Sequence, residues 1–262
     1  KIFLSTLILE GCGDMYPIFH SLLSDKTGGD IFNLFGPWHY FFIVLTFVTI
    51  AAVLWLFRNK SYDSRRKVCR FFVNLAFALY ILDFFCMPLS QCEINIEKLP
   101  FHVCTTMCVM CFLSQYVPVL KKYHTSFAML GFISNLVYLF CPAGMVWKQI
   151  HPLSYRVVQT LLFHGVMSVY GFLTMVYERD HIQFRKIYQD LLVVVGMTLW
   201  ALLGNYIYNA DLEGYSHFFN WFFVVQDPFN IFSKDIAWLV MPLLNIAVFF
   251  VAEVIVYLLF HW

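Results

Sequence analysis

The chain contains 262 residues with a formal net charge of +1 at pH 7; 61% of the residues are hydrophobic and only 13% are charged. This apolar share exceeds that of soluble globular domains, and the cations are too few for a nucleic-acid-binding surface. The 30 phenylalanines and a mean hydropathy of +0.71 indicate that lipid surrounds much of the folded chain. We therefore expect a polytopic membrane protein and no nucleic-acid partner.

The first 36 residues are less apolar than the rest of the chain. Residues 2–9 form a short apolar stretch, and Glu10, Gly11, Gly13 and Asp14 follow it directly. This pattern does not match a cleavable signal peptide. We expect residues 1–36 to form an interfacial or re-entrant segment on the outer side of the membrane.

Seven later stretches are apolar and long enough, or nearly long enough, to cross a membrane. A hydrocarbon core of roughly 30 Å requires about 20 residues of α-helix. The stretches comprise residues 37–57, 71–89, 99–120, 126–141, 157–177, 191–208 and 238–260. Backbone groups must be hydrogen-bonded in lipid, and no alternating pattern suggests a β-barrel. The sequence therefore predicts an all-α fold in which residues 37–262 form a bundle of seven transmembrane helices.

The basic residues indicate how this bundle is oriented, because Lys and Arg concentrate in cytoplasmic connections. The connections after the first, third and fifth stretches hold most of the 17 basic residues: Arg58, Lys60, Arg65, Arg66, Lys67, Arg70, Lys121, Lys122, Arg179, Arg185 and Lys186. We therefore predict that the amino terminus lies outside and the carboxyl terminus inside.

The predicted outer connection of residues 209–237 is rich in aromatic side chains, among them Phe219, Trp221 and Phe222. Aromatic rings with one wet edge favour the headgroup layer of a membrane. We expect a connector lying on the membrane surface, with a lid over an outward-opening site as the alternative.

Polar side chains collect in the outer half of the predicted bundle, as judged from about 1.5 Å of rise per residue. They are His39, Asp83, His102, His164, Asn205, Asn209 and Asn245. His164 lies deep in its stretch and precedes Gly165, whose small size allows another backbone or a substrate to approach. In the inner half, Glu253 is the exception to a nearly apolar sequence. Intramembrane ionisable groups are costly and usually functional, so the outer half is the predicted site.

The third stretch begins with a histidine next to candidate nucleophiles. A spacing of three and four residues places His102, Thr105 and Thr106 on one helix face, and Cys104 lies on a neighbouring stripe. Cys108 continues that stripe and, like most buried cysteines, suits packing. The pattern indicates nucleophilic chemistry at the outer end of this helix.

Four short motifs, in their order and spacing, resemble the YwaF-type integral membrane proteins of bacteria. They are Leu99-Pro100-Phe101-His102-Val103-Cys104, Phe140-Cys141-Pro142, Phe163-His164-Gly165 and Asn205-Tyr206. That family is similar to a eukaryotic multipass membrane acyltransferase that moves polyunsaturated chains between phospholipids. The resemblance implies acyl transfer on phospholipid by a histidine with a Cys or Thr nucleophile, in a protein of the plasma membrane. In those eukaryotic relatives a cysteine directly precedes the first histidine, where this chain has Phe101.

The residues allow such a mechanism, because a histidine can take the proton of a thiol or hydroxyl that attacks a lipid ester. We expect Cys104, Thr105 or Thr106 to be the nucleophile. His164 is the predicted general base, and His102 orients it or protonates the leaving group. The supporting or substrate-binding residues are Asp83, His39, Asn245, Asn205 and Tyr206, the last two as hydrogen-bond donors to the oxyanion.

Cofactor chemistry is less well supported by the sequence. His39, His102, His164 and Asp83 could ligate zinc, but no helix carries two histidines four residues apart. Haem between facing histidines is weaker still, and the last stretch has no lysine for a retinal Schiff base. We expect neither a cofactor nor a metal.

A non-enzymatic function of a different class stays open. A transporter, receptor or assembly subunit could hold lipid in a cavity without turnover, together with an unidentified partner membrane protein. Glu253 in the inner half is not part of a continuous polar path, which disfavours permeation. Bound lipid that persists without cleavage would favour a receptor or assembly subunit over catalysis.

Overall fold

The computed structural model describes the backbone of residues 30–91, 98–142, 150–209, 219–225, 227 and 231–261, and the side chains of these except 86–91, 234–235 and 260–261. Residues 1–29 of the predicted outer segment, which comprises residues 1–36, therefore lie outside the described residues. Part of the predicted outer connection, residues 210–218, 226 and 228–230, lies outside them as well.

The described residues form α-helices and short 3-10 turns, and no strand occurs among them. The α-helices are α1 (Pro37–Phe57), α2 (Tyr62–Gln91), α3 (Val103–Ser114), α4 (Pro118–Lys121), α5 (His124–Phe140), α6 (Tyr155–Tyr177), α7 (Ile187–Asn209) and α8 (Lys234–His261). The 3-10 turns are Arg179–His181, Phe184–Lys186 and Trp221–Phe223. The all-α prediction is confirmed for this part of the chain.

Within the part of the chain that the structure describes, five helical segments are long and apolar enough to cross a membrane: Pro37–Phe57, Tyr62–Phe85, Tyr155–Tyr177, Phe184–Asn209 and Ile236–Leu259. The helices α3 and α5 are apolar but shorter, with 12 and 17 residues. At about 1.5 Å per residue, α3 is about 18 Å long, well below the thickness of a hydrocarbon core. The chain is therefore a multipass membrane protein, whereas seven complete spans and their orientation stay predictions.

The predicted third stretch is not one continuous helix. Helix α3 ends at Ser114, and Val117 has extended backbone angles before α4 begins at Pro118. The ring of a proline disfavours the helical conformation of the residue before it. The expectation of a helix over residues 99–120 is therefore wrong at both ends, because Pro118 interrupts it and because residues 98–102 form a turn.

The chain divides into two compact units. Unit 1 comprises Lys1–Lys98 and Asn135–Tyr170, and unit 2 comprises Leu99–Ser134 and Gly171–Trp262. The core of unit 1 includes Phe42 and Leu161, while that of unit 2 includes Met129, Met175 and Val256. Each unit thus has a hydrophobic core of its own.

In unit 2, Phe101 anchors the turn before α3. Its ring stacks on Trp200 with the centroids 4.9 Å apart, and it lies 4.9 Å from the ring of Trp221. The carbonyl oxygen of Pro100 accepts a hydrogen bond of 2.6 Å from Nε1 of Trp200. A Cβ atom at Gly204 would lie closer than 3.0 Å to three carbons of the Phe101 ring. The turn therefore depends on a glycine in α7.

We expect the substitution Gly204→Ala to destabilise the protein, because the added methyl group overlaps the Phe101 ring. Overpacking of a core costs about 1–3 kcal/mol, so the thermal unfolding midpoint of the purified protein should fall. The matched control is Gly196→Ala in the same helix, where a Cβ would meet nothing within 4 Å. Alanine is the better helix former, so this control should be neutral or slightly stabilising. Equal midpoints for the two variants would contradict the packing argument.

Candidate functional site

His164 lies in α6 and is held by residues of α5 within unit 1. Its Nδ1 is 2.7 Å from Oδ1 of Asn135, and its ring stacks on Tyr138 with the centroids 4.0 Å apart. The side chain is 6% exposed. An amide oxygen only accepts hydrogen bonds, so Nδ1 carries the proton and donates it. The neutral imidazole then has its basic lone pair on Nε2, which is the form that a general base requires.

The residue after His164 marks a close approach of two helices. A Cβ atom at Gly165 would lie 2.6 Å from the hydroxyl oxygen of Thr46 in α1. Beside this contact, α1, α2 and α6 enclose an apolar groove of about 190 Å³ lined by Phe42, Phe72 and Val166, among others. A dry cavity of about 150 Å³ can hold a benzene molecule. The groove, defined by these residues, is thus large enough for part of an acyl chain.

His39, a predicted supporting residue, has both ring nitrogens hydrogen-bonded within unit 1. Its Nδ1 accepts a bond of 2.9 Å from the backbone N–H of Phe35, and its Nε2 lies 2.7 Å from the carbonyl oxygen of Leu139. Because Nδ1 accepts, Nε2 is the donor. The side chain is fully buried. His39 therefore ties the start of α1 to the end of α5, and we leave it out of the substrate-binding residues.

Asp83, also predicted as a supporting residue, forms an ion pair in unit 1. Its Oδ2 lies 2.6 Å from Nζ of Lys98, and the backbone oxygen of Lys98 accepts a bond from Tyr80. The other carboxylate oxygen of Asp83 is buried and has no hydrogen-bond partner among the described residues. The pair connects α2 to the chain just before Leu99, the first residue of unit 2.

In unit 2, the turn that precedes α3 engages the hydroxyl groups of both candidate threonines. Thr105 donates to the carbonyl oxygen of His102 at 3.1 Å, and Thr106 donates to that of Pro100 at 2.6 Å. His102 itself occupies the N-cap position with extended backbone angles. Because both hydroxyl groups are bound to backbone carbonyls, they are weaker candidates for the nucleophile than Cys104.

Cys104 differs from the other cysteines of α3. Its side chain is partly exposed and interacts with the hydroxyl of Ser134, whereas Cys108 and Cys111 are fully buried. The full burial of Cys108 and Cys111 fits a packing role. Among the cysteines of α3, Cys104 is therefore the one that a substrate reaches most easily.

Two asparagines predicted to bind substrate hold the aromatic connection of unit 2 instead. Asn205 donates to the carbonyl oxygens of Ala201 and Trp221 and accepts from the N–H of Trp221. Asn245 donates to the carbonyl oxygen of Phe222 at 2.8 Å. The amide of Asn205 has no N–H left for an oxyanion, and we correct that expectation. Its neighbour Tyr206 is 77% exposed.

The aromatic connection is also more deeply packed than predicted. Trp221 and Phe222 are 1% and 3% exposed, while Phe223 is half exposed. Phe222 and Phe223 adopt positive φ angles of 60° and 52°, which are unusual for bulky residues. Asn245 stabilises this backbone through the Phe222 carbonyl. The described part of the connection is therefore a turn that buries Trp221 and Phe222 within the protein, and its place relative to the membrane surface stays a prediction.

The predicted site residues are distributed over both units. Unit 1 contains His39, Asp83 and His164, and unit 2 contains His102, Cys104, Thr105, Thr106, Asn205, Tyr206 and Asn245. No group of three or more His, Cys, Asp or Glu side chains that could hold a metal occurs in the described part of the chain. A site that uses His102, Cys104 and His164 together stays a prediction.

Unit 2 also contains a polar cluster that was not predicted from the sequence. Tyr257 donates a hydrogen bond of 2.6 Å to Oδ2 of Asp190, and Ser126 also bonds to Asp190. Glu253 is fully buried and is acted on by the charge of Asp190. Asp190 lies just before the predicted stretch of residues 191–208, outside the predicted membrane-spanning sequence. The four-residue spacing of Glu253 and Tyr257, which places them on one helix face, is the signal that could have revealed the cluster.

Comparison with known proteins identifies the family. A model of the TMEM164 family matches residues 24–261, which include all the helices described above. No curated protein and no solved structure matches the chain. The resemblance to YwaF-type proteins is not confirmed, whereas this match covers nearly the whole chain. The chain therefore belongs to the TMEM164 family of multipass membrane proteins.

Proposed function

We propose that this protein transfers or hydrolyses acyl groups of membrane phospholipids, with His164 as the proton acceptor. The observation that carries this proposal is the hydrogen bond from His164 to Asn135 inside an apolar helix pair. Burying a histidine in such surroundings is costly, and residues of this kind inside a membrane are therefore usually functional. The bond also fixes the tautomer that accepts a proton at Nε2.

The nucleophile in this proposal is Cys104. A thiol is a better nucleophile than the hydroxyl groups of Thr105 and Thr106, which donate to backbone carbonyls. It also lies at the start of α3, two residues after His102. Burial disfavours the thiolate form of Cys104, so the proposal requires an imidazole that takes the proton as the sulfur attacks.

The reaction would proceed in two steps. The Cys104 thiol gives its proton to an imidazole, and the sulfur attacks the ester carbonyl of a phospholipid. Lysophospholipid leaves with that proton, and the acyl group stays on the protein as a thioester. An acceptor hydroxyl or water then attacks the thioester, which regenerates the thiol. Transfer and hydrolysis differ only in this acceptor.

The groove in unit 1 supports a lipid substrate. It is lined by apolar side chains of the membrane-spanning helices α1, α2 and α6, and Gly165 on its wall directly follows His164. An acyl chain could enter it sideways from the membrane. The same groove favours a second candidate function, namely lipid binding without turnover.

The proposal predicts that His164→Gln lowers the release of lysophospholipid by about 100-fold or more, since a general base typically contributes 10²–10⁴-fold. Cys104→Ser should abolish the thioester adduct in the intact mass of the protein. The measurement is mass spectrometry of the purified protein and its lipids after incubation with phospholipid in nanodiscs. Cys108→Ser and the exposed His181→Gln are matched controls, and both should keep the wild-type activity.

Unchanged turnover in His164→Gln would exclude this residue as the base. Turnover without an adduct, equally fast in Cys104→Ser, would exclude Cys104 and leave direct attack by the acceptor. Intact bound lipid without turnover in any form would favour the lipid-binding function.

We expect Val166→Trp to fill the groove and to reduce several-fold the crosslinking of a phospholipid that carries a photoreactive acyl chain. Peptide mapping of the crosslinked protein would locate the label. Val137→Trp is the matched control, because Val137 of unit 1 is 61% exposed and does not line the groove. Equal labelling of groove residues in the two variants would show that acyl chains do not use the groove.

A further inference from the structure

Two acidic side chains of unit 2 lie outside the proposed catalytic residues. Asp190 is in the first turn of α7, and Glu253 is in α8, nine residues before the last residue of the chain. They are 1% and 0% exposed. We call Asp190 and Glu253 the acid pair. Buried acids in a membrane-spanning helix mark functional sites by default.

Burial disfavours a negative charge on Asp190, and two hydroxyl donors offset part of that cost. The hydroxyl group of Tyr257 donates to Oδ2 at 2.6 Å, and the hydroxyl group of Ser126 in α5 forms a second hydrogen bond. Donors to an ionised carboxylate form stronger bonds than donors to a neutral group. Asp190 is therefore the member of the pair that is equipped to carry a charge.

Glu253 lacks such support. Neither Oε1 nor Oε2 has a hydrogen-bond partner among the described residues. Glu253 lies one helical turn before Tyr257 on the same face of α8, so that about 6 Å along the helix axis separates the two residues. The charge of Asp190 acts on it. A second carboxylate anion in this place would be unpaired, poorly solvated and close to a like charge, whereas a neutral carboxyl group avoids all three costs.

We propose that the acid pair is a buried proton-binding site, in which Glu253 holds one proton and Asp190 keeps the negative charge. The proton comes from water and returns to water, and no other bond changes. Asp190 lies four residues after Lys186, the last residue of the connection that joins α6 to α7, where Arg179 and Arg185 are exposed. The acid pair is thus about one helical turn from exposed chain.

Among the charged groups of the neighbouring elements, Asp190 is the one whose charge acts on Glu253. His124 begins α5, bonds to Ser114 and lies 3.9 Å from Glu178 at the end of α6, so these groups interact with one another. In the connection that follows, Lys186 is partly buried while Arg179, Asp180, His181 and Arg185 are exposed.

A proton fits this site better than a metal ion does. Hard cations such as Ca²⁺ and Mg²⁺ require about six oxygen ligands or more. The acid pair supplies two carboxyl groups, and no larger group of metal-binding side chains is present in the described ranges. Ion binding is therefore an outcome that the test has to detect.

The test uses dicyclohexylcarbodiimide, an apolar reagent that reacts with protonated carboxyl groups inside membranes. The full-length protein in phospholipid nanodiscs is labelled over a range of pH, and mass spectrometry of its peptides measures the adduct at Glu253. We expect an adduct that is present at low pH and is lost as the pH rises. Asp190→Asn removes the neighbouring negative charge, so that the loss should occur at lower pH.

Two controls keep the result interpretable. Glu253→Gln has nearly the same shape and should lose the adduct while it keeps the wild-type elution volume in gel filtration. Asp63→Asn removes an exposed acid in the first turn of α2, and the labelling of Glu253 should not change.

Three outcomes would overturn the proposal. One is an identical pH dependence in wild type and Asp190→Asn. Another is suppression of labelling by Na⁺ or Ca²⁺ at constant pH, which would make the pair an ion site. The third outcome concerns a protein that gives no adduct with the reagent, for which the infrared spectrum is measured. A protonated-carboxyl band that wild type shows and Glu253→Gln lacks would support the proposal. The absence of this band from wild type would overturn it. None of these measurements depends on acyl transfer.

Discussion

Lipid offers no hydrogen bonds, so each polar side chain inside this protein has to find its partner within the protein. Asn135 supplies that partner for His164, and the carbonyl oxygen of Leu139 does so for His39. Both partners belong to α5, which connects them to α6 and α1. The same bonds that solvate the histidines therefore fix how the helices of unit 1 pack.

Unit 2 meets the same constraint with asparagines. Asn205 and Asn245 form hydrogen bonds to the backbone of the 3-10 turn Trp221–Phe223, whose own groups are not paired in a regular helix. Trp221 from this turn packs on Phe101, which in turn lies against Gly204. His102 follows Phe101 directly, and Cys104 lies two residues further along the chain. The position of these two residues thus depends on the packing of Phe101 against Trp221 and Gly204.

Glu253 is the place where the constraint is not met by a hydrogen bond among the described residues. A neutral carboxyl group is the least costly way to bury such a side chain. His164 meets this constraint with a hydrogen bond to Asn135, whereas the acid pair, in our proposal, meets it with a bound proton.

The amino-acid sequence is sufficient to predict a multipass, all-α membrane protein, because hydropathy and helix length are local properties that lipid enforces. It also indicated that His164 and Cys104 are worth testing, since rare polar residues stand out in an apolar chain. It could not show that Pro118 ends the third stretch early. Packing gives His39, Asn205 and Asn245 their backbone partners and brings Asp190 near Glu253. These contacts depend on partners 16 to 100 residues away along the chain, and hydrogen bonds across such distances are set by packing and not by local pattern.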